Sequence, residues 1–162
     1  MTSSPSPTRQ VLVLFAALAP CLAVGAIGGV ATSQSVSSWY PALAKPPFNP
    51  PRWIFAPVWT ALYVIMAVSA WLVWRRNGWR GARPALTLFA IQLALNLAWS
   101  LMFFGLRRID LALIDVVALL AAIAATALAF WPLHRAAALL MTPYLAWVGF
   151  ATLLNSAIWR LN

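Results

Sequence analysis

Charge in this chain falls in clusters, and between the clusters lie apolar stretches each about as long as a bilayer is thick. Residues 11–30, 53–74, 84–106, 111–133 and 136–160 carry almost no charge; Asp115 is the one acid placed inside such a stretch. A helix needs about 20 apolar residues to cross the hydrocarbon core. With eleven basic and two acidic residues among 162, and 64% of positions apolar, the chain has too little charge to cover a water-soluble surface, where about a quarter of residues are ordinarily charged. That excludes a soluble globular domain, a disordered chain and a disulfide-stapled secreted module. The expectation is an all-α integral membrane protein, a bundle of five transmembrane helices with short connections and no second domain.

Residues 1–10, polar and rich in Pro and Ser, read as a disordered tail, and residues 11–162 as one membrane domain. The first apolar run is read as a membrane helix and not as a cleaved leader, because it is long and only Arg9 precedes it. The longest connection, 31–52, is rich in Pro and aromatic residues and carries one lysine. Cys21 is alone, forms no intrachain disulfide and reads as packing. The net charge of +9 would suggest nucleic acid in a soluble protein, but the basic residues flank apolar runs, which assigns them to topology and lipid headgroups. One side of the membrane holds Arg9, Arg75, Arg76, Arg80, Arg83 and Arg135; the other holds Lys45, Arg52, Arg107, Arg108 and Arg160. A majority of one residue favours a cytoplasmic N-terminus and leaves the orientation open.

Helical spacing puts Gln92, Asn96, Trp99 and Phe103 on one face, Tyr144, Trp147, Ala151 and Asn155 on another, and Trp59, Tyr63 and Met66 on a third. Two roles are open for the amides: interhelical hydrogen bonds within the bundle, or ligand contacts. Depth bears on the choice. At 1.5 Å per residue, Trp59, Asn96, Trp99, Asp115 and Asn155 all fall in the half of the bilayer nearer Lys45 and Arg107, whereas the other half is almost purely aliphatic. This predicts a pocket open toward that side, with 31–52 as its lid. Asp115 is expected to pair with Arg107, Arg108 or Arg52; proton coupling is the alternative for an intramembrane acid. Trp39, Trp53, Trp74, Trp79 and Trp159 read as interfacial belt residues. Gly25 with Gly29, and Ala90, Ala94 and Ala98, offer small faces for close helix approach, within one chain or between two. With one His, no Glu and no nucleophile grouping, neither a metal site nor a haem ligand is expected.

These residues resemble the tryptophan-rich sensory (TspO/MBR) family, whose animal members are the translocator protein, or peripheral benzodiazepine receptor. The family's loop pattern is matched by Trp39, Tyr40, Leu43, Lys45, Pro46, Phe48, Pro50, Pro51 and Trp53, then Pro57, Trp59, Leu62 and Tyr63. Gln92 to Trp99, Phe103-Phe104-Gly105, Ala112 to Asp115, Pro143 to Trp147, Phe150 to Thr152 and Leu154-Asn155 extend the likeness from about Leu18 to Arg160. The resemblance implies a five-helix bundle, usually a homodimer, in a membrane that for this chain is expected to be the bacterial cell membrane. It also implies binding of porphyrins, protoporphyrin IX and haem-like tetrapyrroles, and of drug-like aromatic molecules beneath the first loop. The family's pocket residues fall on Trp59, Asn96, Trp99, Trp147, Ala151 and Leu154; the faces described above add Tyr63, Gln92, Phe103 and Asn155, and Trp39, Lys45, Phe48, Arg52 and Trp53 stand at the lid and mouth.

The reading so implied is a membrane receptor or sensor that binds tetrapyrroles, acting in their sensing or transport and needing no cofactor, in which the macrocycle stacks on Trp59, Trp99 and Trp147. Asn96 and Asn155 orient its polar edges, and Arg52 or Lys45 pairs with its propionates. Two alternatives stay open: light-dependent degradation of the porphyrin, for which the family's tryptophan pair falls on Trp59 and Trp147, and proton-coupled transport through Asp115. Two departures matter. Ser156 stands where animal members carry the central Tyr of a sterol motif, and Leu111 where they carry Trp.

Overall fold

The computed structural model describes residues 6–162, and among these every regular element is helical. The first, α1, spans Pro7–Val36. It starts earlier than expected because the Ser6 hydroxyl accepts the Arg9 N–H at 3.4 Å and Pro7 occupies a first-turn position that needs no donor. Residues 7–10 of the expected tail are therefore helical; residues 1–5 lie outside the described residues. At its other end α1 runs beyond residue 30, because Thr32 and Ser33 turn their hydroxyls back onto the carbonyls of Gly28 and Val30, both at 2.8 Å, so polar side chains sit inside the helix without breaking it.

A one-turn helix, α2, covers Trp39–Ala42, and an irregular loop, 43–51, leads into α3 at Arg52–Ser100. Gly78, with φ 66° and ψ 178°, breaks α3, a conformation open to glycine at little cost. The two limbs fold back on each other: the Tyr63 hydroxyl lies 2.6 Å from Asn96 Oδ1, atoms that a straight helix would hold about 50 Å apart. Arg75, Arg76, Arg80 and Arg83 sit on helical turns flanking the break and not in the loop expected there. A π-turn, Leu101–Gly105, ends the second limb, and Arg107 in left-handed backbone (φ 56°) reverses the chain into α4, Ile109–Phe130.

The last expected helix divides into α5, Arg135–Leu140, and α6, Thr142–Leu161. Pro143 has no N–H to offer the Leu139 carbonyl, which accepts the Thr142 hydroxyl at 2.7 Å instead. Among the described residues, four helical stretches are long and apolar enough to cross a membrane: Pro7–Val36, Arg52–Gly105, Ile109–Phe130 and Arg135–Leu161. Their outward faces expose Ile114, Leu128 and Leu153, the arrangement of a protein solvated by lipid.

The main core is aliphatic and aromatic, with Met66, Val73, Ile123, Phe130, Met141 and Tyr144 fully enclosed, and Cys21 buried and unpaired among them as expected. A smaller cluster of Tyr40, Phe103, Ala112, Leu154 and Ile158 lies at the end capped by loop 43–51. Of the glycine pair expected to allow close approach, Gly25 does so within the chain: a Cβ there would sit 2.8 Å from the Tyr63 ring. The second close contact is at Gly28, facing Ser100, while Gly29 has open space around it.

Candidate functional site

Four rings form a ladder across the two limbs of α3. Trp59 stacks on Tyr63 (5.7 Å between centroids) and on Trp99 (6.4 Å), and Trp99 stacks on Phe103 (5.4 Å). Spacings of four residues along each limb, Trp59 to Tyr63 and Trp99 to Phe103, put the rings on one face. Across from the ladder, α6 contributes Trp147, whose indole contacts Phe55 and Phe150. Between the walls lies a cavity of about 30 Å³, lined by Trp59, Trp99, Phe103, Trp147, Ala151, Leu154 and Asn155, together with Tyr40, Phe55, Phe104, Phe150 and Ile158. Space of that size suits about one water molecule.

The polar groups divide into two sets. Asn155 reaches the cavity: its Oδ1 accepts the Trp99 indole N–H at 3.1 Å, and its Nδ2 donates to the Ile109 carbonyl at 3.1 Å. The indole is thereby tied to both α4 and α6. Asn96, Tyr63 and Gln92 lie deeper and do not line the cavity. Asn96 accepts from the Tyr63 hydroxyl and donates to the Tyr144 hydroxyl at 3.0 Å, clamping the limbs of α3 to α6. Gln92 turns its Nε2 toward Met66 Sδ at 3.9 Å and leaves its Oε1 buried without a hydrogen-bond partner.

The expected pairing of Asp115 is not found. Arg108 forms a two-point contact with Asp110 instead (2.6 and 2.9 Å), because both sit at the exposed entry to α4. Asp115 lies a turn further in, buried, with Oδ2 lacking any partner.

Loop 43–51 and α2 close the cavity from above. Trp39 meets Phe103 edge-on at 5.7 Å, and Phe48 meets Phe150 at 6.4 Å. The Tyr40 hydroxyl donates to Asn49 Oδ1 at 2.8 Å; burial pushes its pKa above the ordinary phenol value, against the opposing pull of Asn49 and Arg52. Lys45 lies over the Tyr40 ring and donates to the Pro41 and Leu43 carbonyls. Arg52 donates to the Val36 carbonyl at 3.0 Å, tying α1 to the start of α3, and Trp53 points away, 73% exposed. The side-chain amide of Asn162 makes reciprocal bonds of 3.0 Å with the N–H and C=O of Ala44, fastening the end of α6 to the loop.

Sequence reasoning passed over Tyr40, Phe55, Phe104, Phe150 and Ile158 as lining residues. Helical spacing marks three of them, since Phe55 stands four before Trp59, Phe150 three after Trp147 and Ile158 four after Leu154. Phe104 is turned inward by the π-turn, which carries no such signal.

An aromatic box between a folded-back helix pair and a final helix, capped by the W-Y-x-x-L-x-K-P loop, invites comparison with known proteins. A model of the TspO/MBR family matches residues 16–160. The chain belongs to the TspO/MBR family. It is 41% identical over 153 residues to the tryptophan-rich protein TspO of Archaeoglobus fulgidus, covering 94% of this chain and 99% of that one. Identity to the translocator protein of Bos taurus is 42% over 140 residues (85% and 83% of the two chains), and to the tryptophan-rich sensory protein of Cereibacter sphaeroides 40% over 142 residues (86% and 88%). Family and helices together make it a multi-pass integral membrane protein.

Proposed function

We propose that this chain crosses the membrane five times and binds a flat tetrapyrrole in the aromatic pocket beneath loop 43–51. The 54-residue stretch Arg52–Gly105 would be about 80 Å long if straight; divided at Gly78, each limb has the length of one crossing. The observation that carries the ligand reading is the ladder from Tyr63 to Phe103 facing Trp147, with Asn155 as the only amide in the lining. Indole faces suit a planar apolar macrocycle, and one amide suits its polar edge. Lys45, on the loop, supplies the positive charge for a carboxylate at the mouth. The names of the relatives, sensory protein and translocator protein, accord with a protein that takes up a ligand and passes on a signal or the ligand itself.

A pocket for a small molecule spans roughly 300 Å³ or more, about ten times the present cavity. Binding is therefore coupled to opening: the loop lifts, and the rings of Trp147, Phe150 and Phe103 move apart. Titration of the purified protein with protoporphyrin IX in the dark, followed by tryptophan quenching corrected for inner-filter loss, tests the reading. Saturable quenching at micromolar concentration, weakened in Trp147→Phe, is expected. Linear, unsaturable quenching would mean that the porphyrin merely partitions into detergent, and would overturn the assignment.

A further inference from the structure

At the opposite end of the molecule from the aromatic pocket, a cleft of about 490 Å³ is lined by Arg76, Trp131, Pro132, His134, Arg135 and Ala136. Two arginines thus line one concavity, and neither of the chain's two acids stands beside them. Its two acids, Asp110 and Asp115, occupy the first turns of α4, whereas Trp131 follows the last, about 30 Å along the helix from Asp110. Arg135 is positioned by an aromatic ring instead, its guanidinium 5.8 Å from the centroid of Trp131. His134 adds a donor. Its Nδ1 accepts the Ala137 N–H at 3.2 Å, which places the proton on Nε2 in the neutral ring.

Planar guanidinium groups match phosphate oxygens two at a time, so the shared chemistry of any ligand here is a phosphate mono- or diester. What surrounds the cleft selects among phosphates. Trp131 is 47% exposed, Leu128 one turn below it on α4 is 74% exposed, and Leu139 on α5 is 54% exposed. A phosphate held between Arg76 and Arg135 would have continuous apolar surface leading from it along the outside of α4. We propose that this cleft is a binding site for an anionic phospholipid, its phosphate between Arg76 and Arg135 with His134 Nε2 as third donor, its glycerol region against Trp131 and an acyl chain along Leu128. The site is independent of the tetrapyrrole reading and lies at the other end of the bundle.

Native mass spectrometry of the full chain in detergent, titrated with dioleoyl-phosphatidylglycerol or dioleoyl-phosphatidylcholine, tests this. The parent is expected to retain phosphatidylglycerol in preference to phosphatidylcholine. Arg76→Gln and Arg135→Gln should each weaken that binding roughly tenfold, while Arg80→Gln, on the same arginine-rich end but outside the cleft, should leave it within about twofold. Trp131→Leu keeps every charge and should also weaken it, and thermal melts of each variant separate lost binding from lost folding. An equal loss in Arg80→Gln and Arg76→Gln would show diffuse attraction without a site. Displacement of the lipid by equimolar inorganic phosphate would show that the cleft reads the phosphate alone. Either result overturns the proposal.

Discussion

Replacing Asn96 with leucine separates the two roles open to an amide at this position. In the structure both ends of the Asn96 side chain are taken: Oδ1 by the Tyr63 hydroxyl at 2.6 Å and Nδ2 by the Tyr144 hydroxyl at 3.0 Å, with all three residues buried. Leucine keeps the branched four-heavy-atom outline and is somewhat bulkier, so no cavity is opened and the loss of the two hydrogen bonds sets the minimum cost. Interhelical side-chain hydrogen bonds in membrane bundles are worth roughly 0.6 kcal/mol on average and up to roughly 1.7, so losing two should cost about 1 to 3 kcal/mol. Tyr63→Phe and Tyr144→Phe each remove one bond and should cost about 0.6 to 1.7 kcal/mol. In the Asn96→Leu background the same tyrosine substitutions should be neutral or stabilising, because each then removes an orphaned buried hydroxyl. Reversible unfolding in mixed dodecylmaltoside and SDS micelles measures every corner of these cycles. Additive tyrosine effects, or an Asn96→Leu variant within about 0.5 kcal/mol of the parent, would refute the clamp. Affinity for protoporphyrin IX should stay near that of the parent, since Asn96 does not line the cavity; loss of binding at unchanged stability would place it in the site.

Gly25→Ala drives a methyl to 2.8 Å from the Tyr63 ring and should cost about 1 to 3 kcal/mol in the same unfolding assay, while Gly29→Ala, with nothing near it, should stay within about 0.5 kcal/mol. Asp115→Asn removes a carboxylate whose Oδ2 is buried without a partner, so the variant should melt at a higher temperature than the parent at neutral pH; a lower one would reveal a stabilising partner. Asn162→Ala releases the Ala44 N–H and C=O from the end of α6. Amide exchange at Ala44 should then speed up about fivefold, the loss of roughly 1 kcal/mol of protection, and unchanged exchange would show that the loop is held by Lys45 and Tyr40 alone.

The helical stretches and the aromatic wall of the pocket were legible in the sequence because both depend on local patterns: apolar runs of bilayer length and rings at helical spacing. Trp59, Trp99, Phe103, Trp147 and Asn155 meet at one cavity as those patterns require. Asn96 and Asn155 show what local pattern cannot decide. Both are amides on aromatic faces near the same end, yet the rotation of each helix aims one at two tyrosines and the other at the cavity. Arg108 likewise had two acids in reach on α4, and the exposed one, Asp110, won because pairing there requires no desolvation. Helix ends shifted wherever a side chain took over a backbone bond, as Ser6 does for Arg9 and Thr142 does for Leu139.

The small volume of the aromatic cavity has a kinetic consequence. If the pocket takes a planar ligand as proposed, a space of about 30 Å³ is too small to admit it unaltered, each binding event waits for the box to open, and the apparent affinity falls in proportion to the rarity of the open form. As ligand concentration rises, the observed association rate should level off at the opening rate, a ceiling set by the protein. Porphyrins and unrelated planar molecules would then share one limiting rate while differing in residence time, and substitutions that loosen the Asn162 to Ala44 fastening would raise that ceiling for all of them alike.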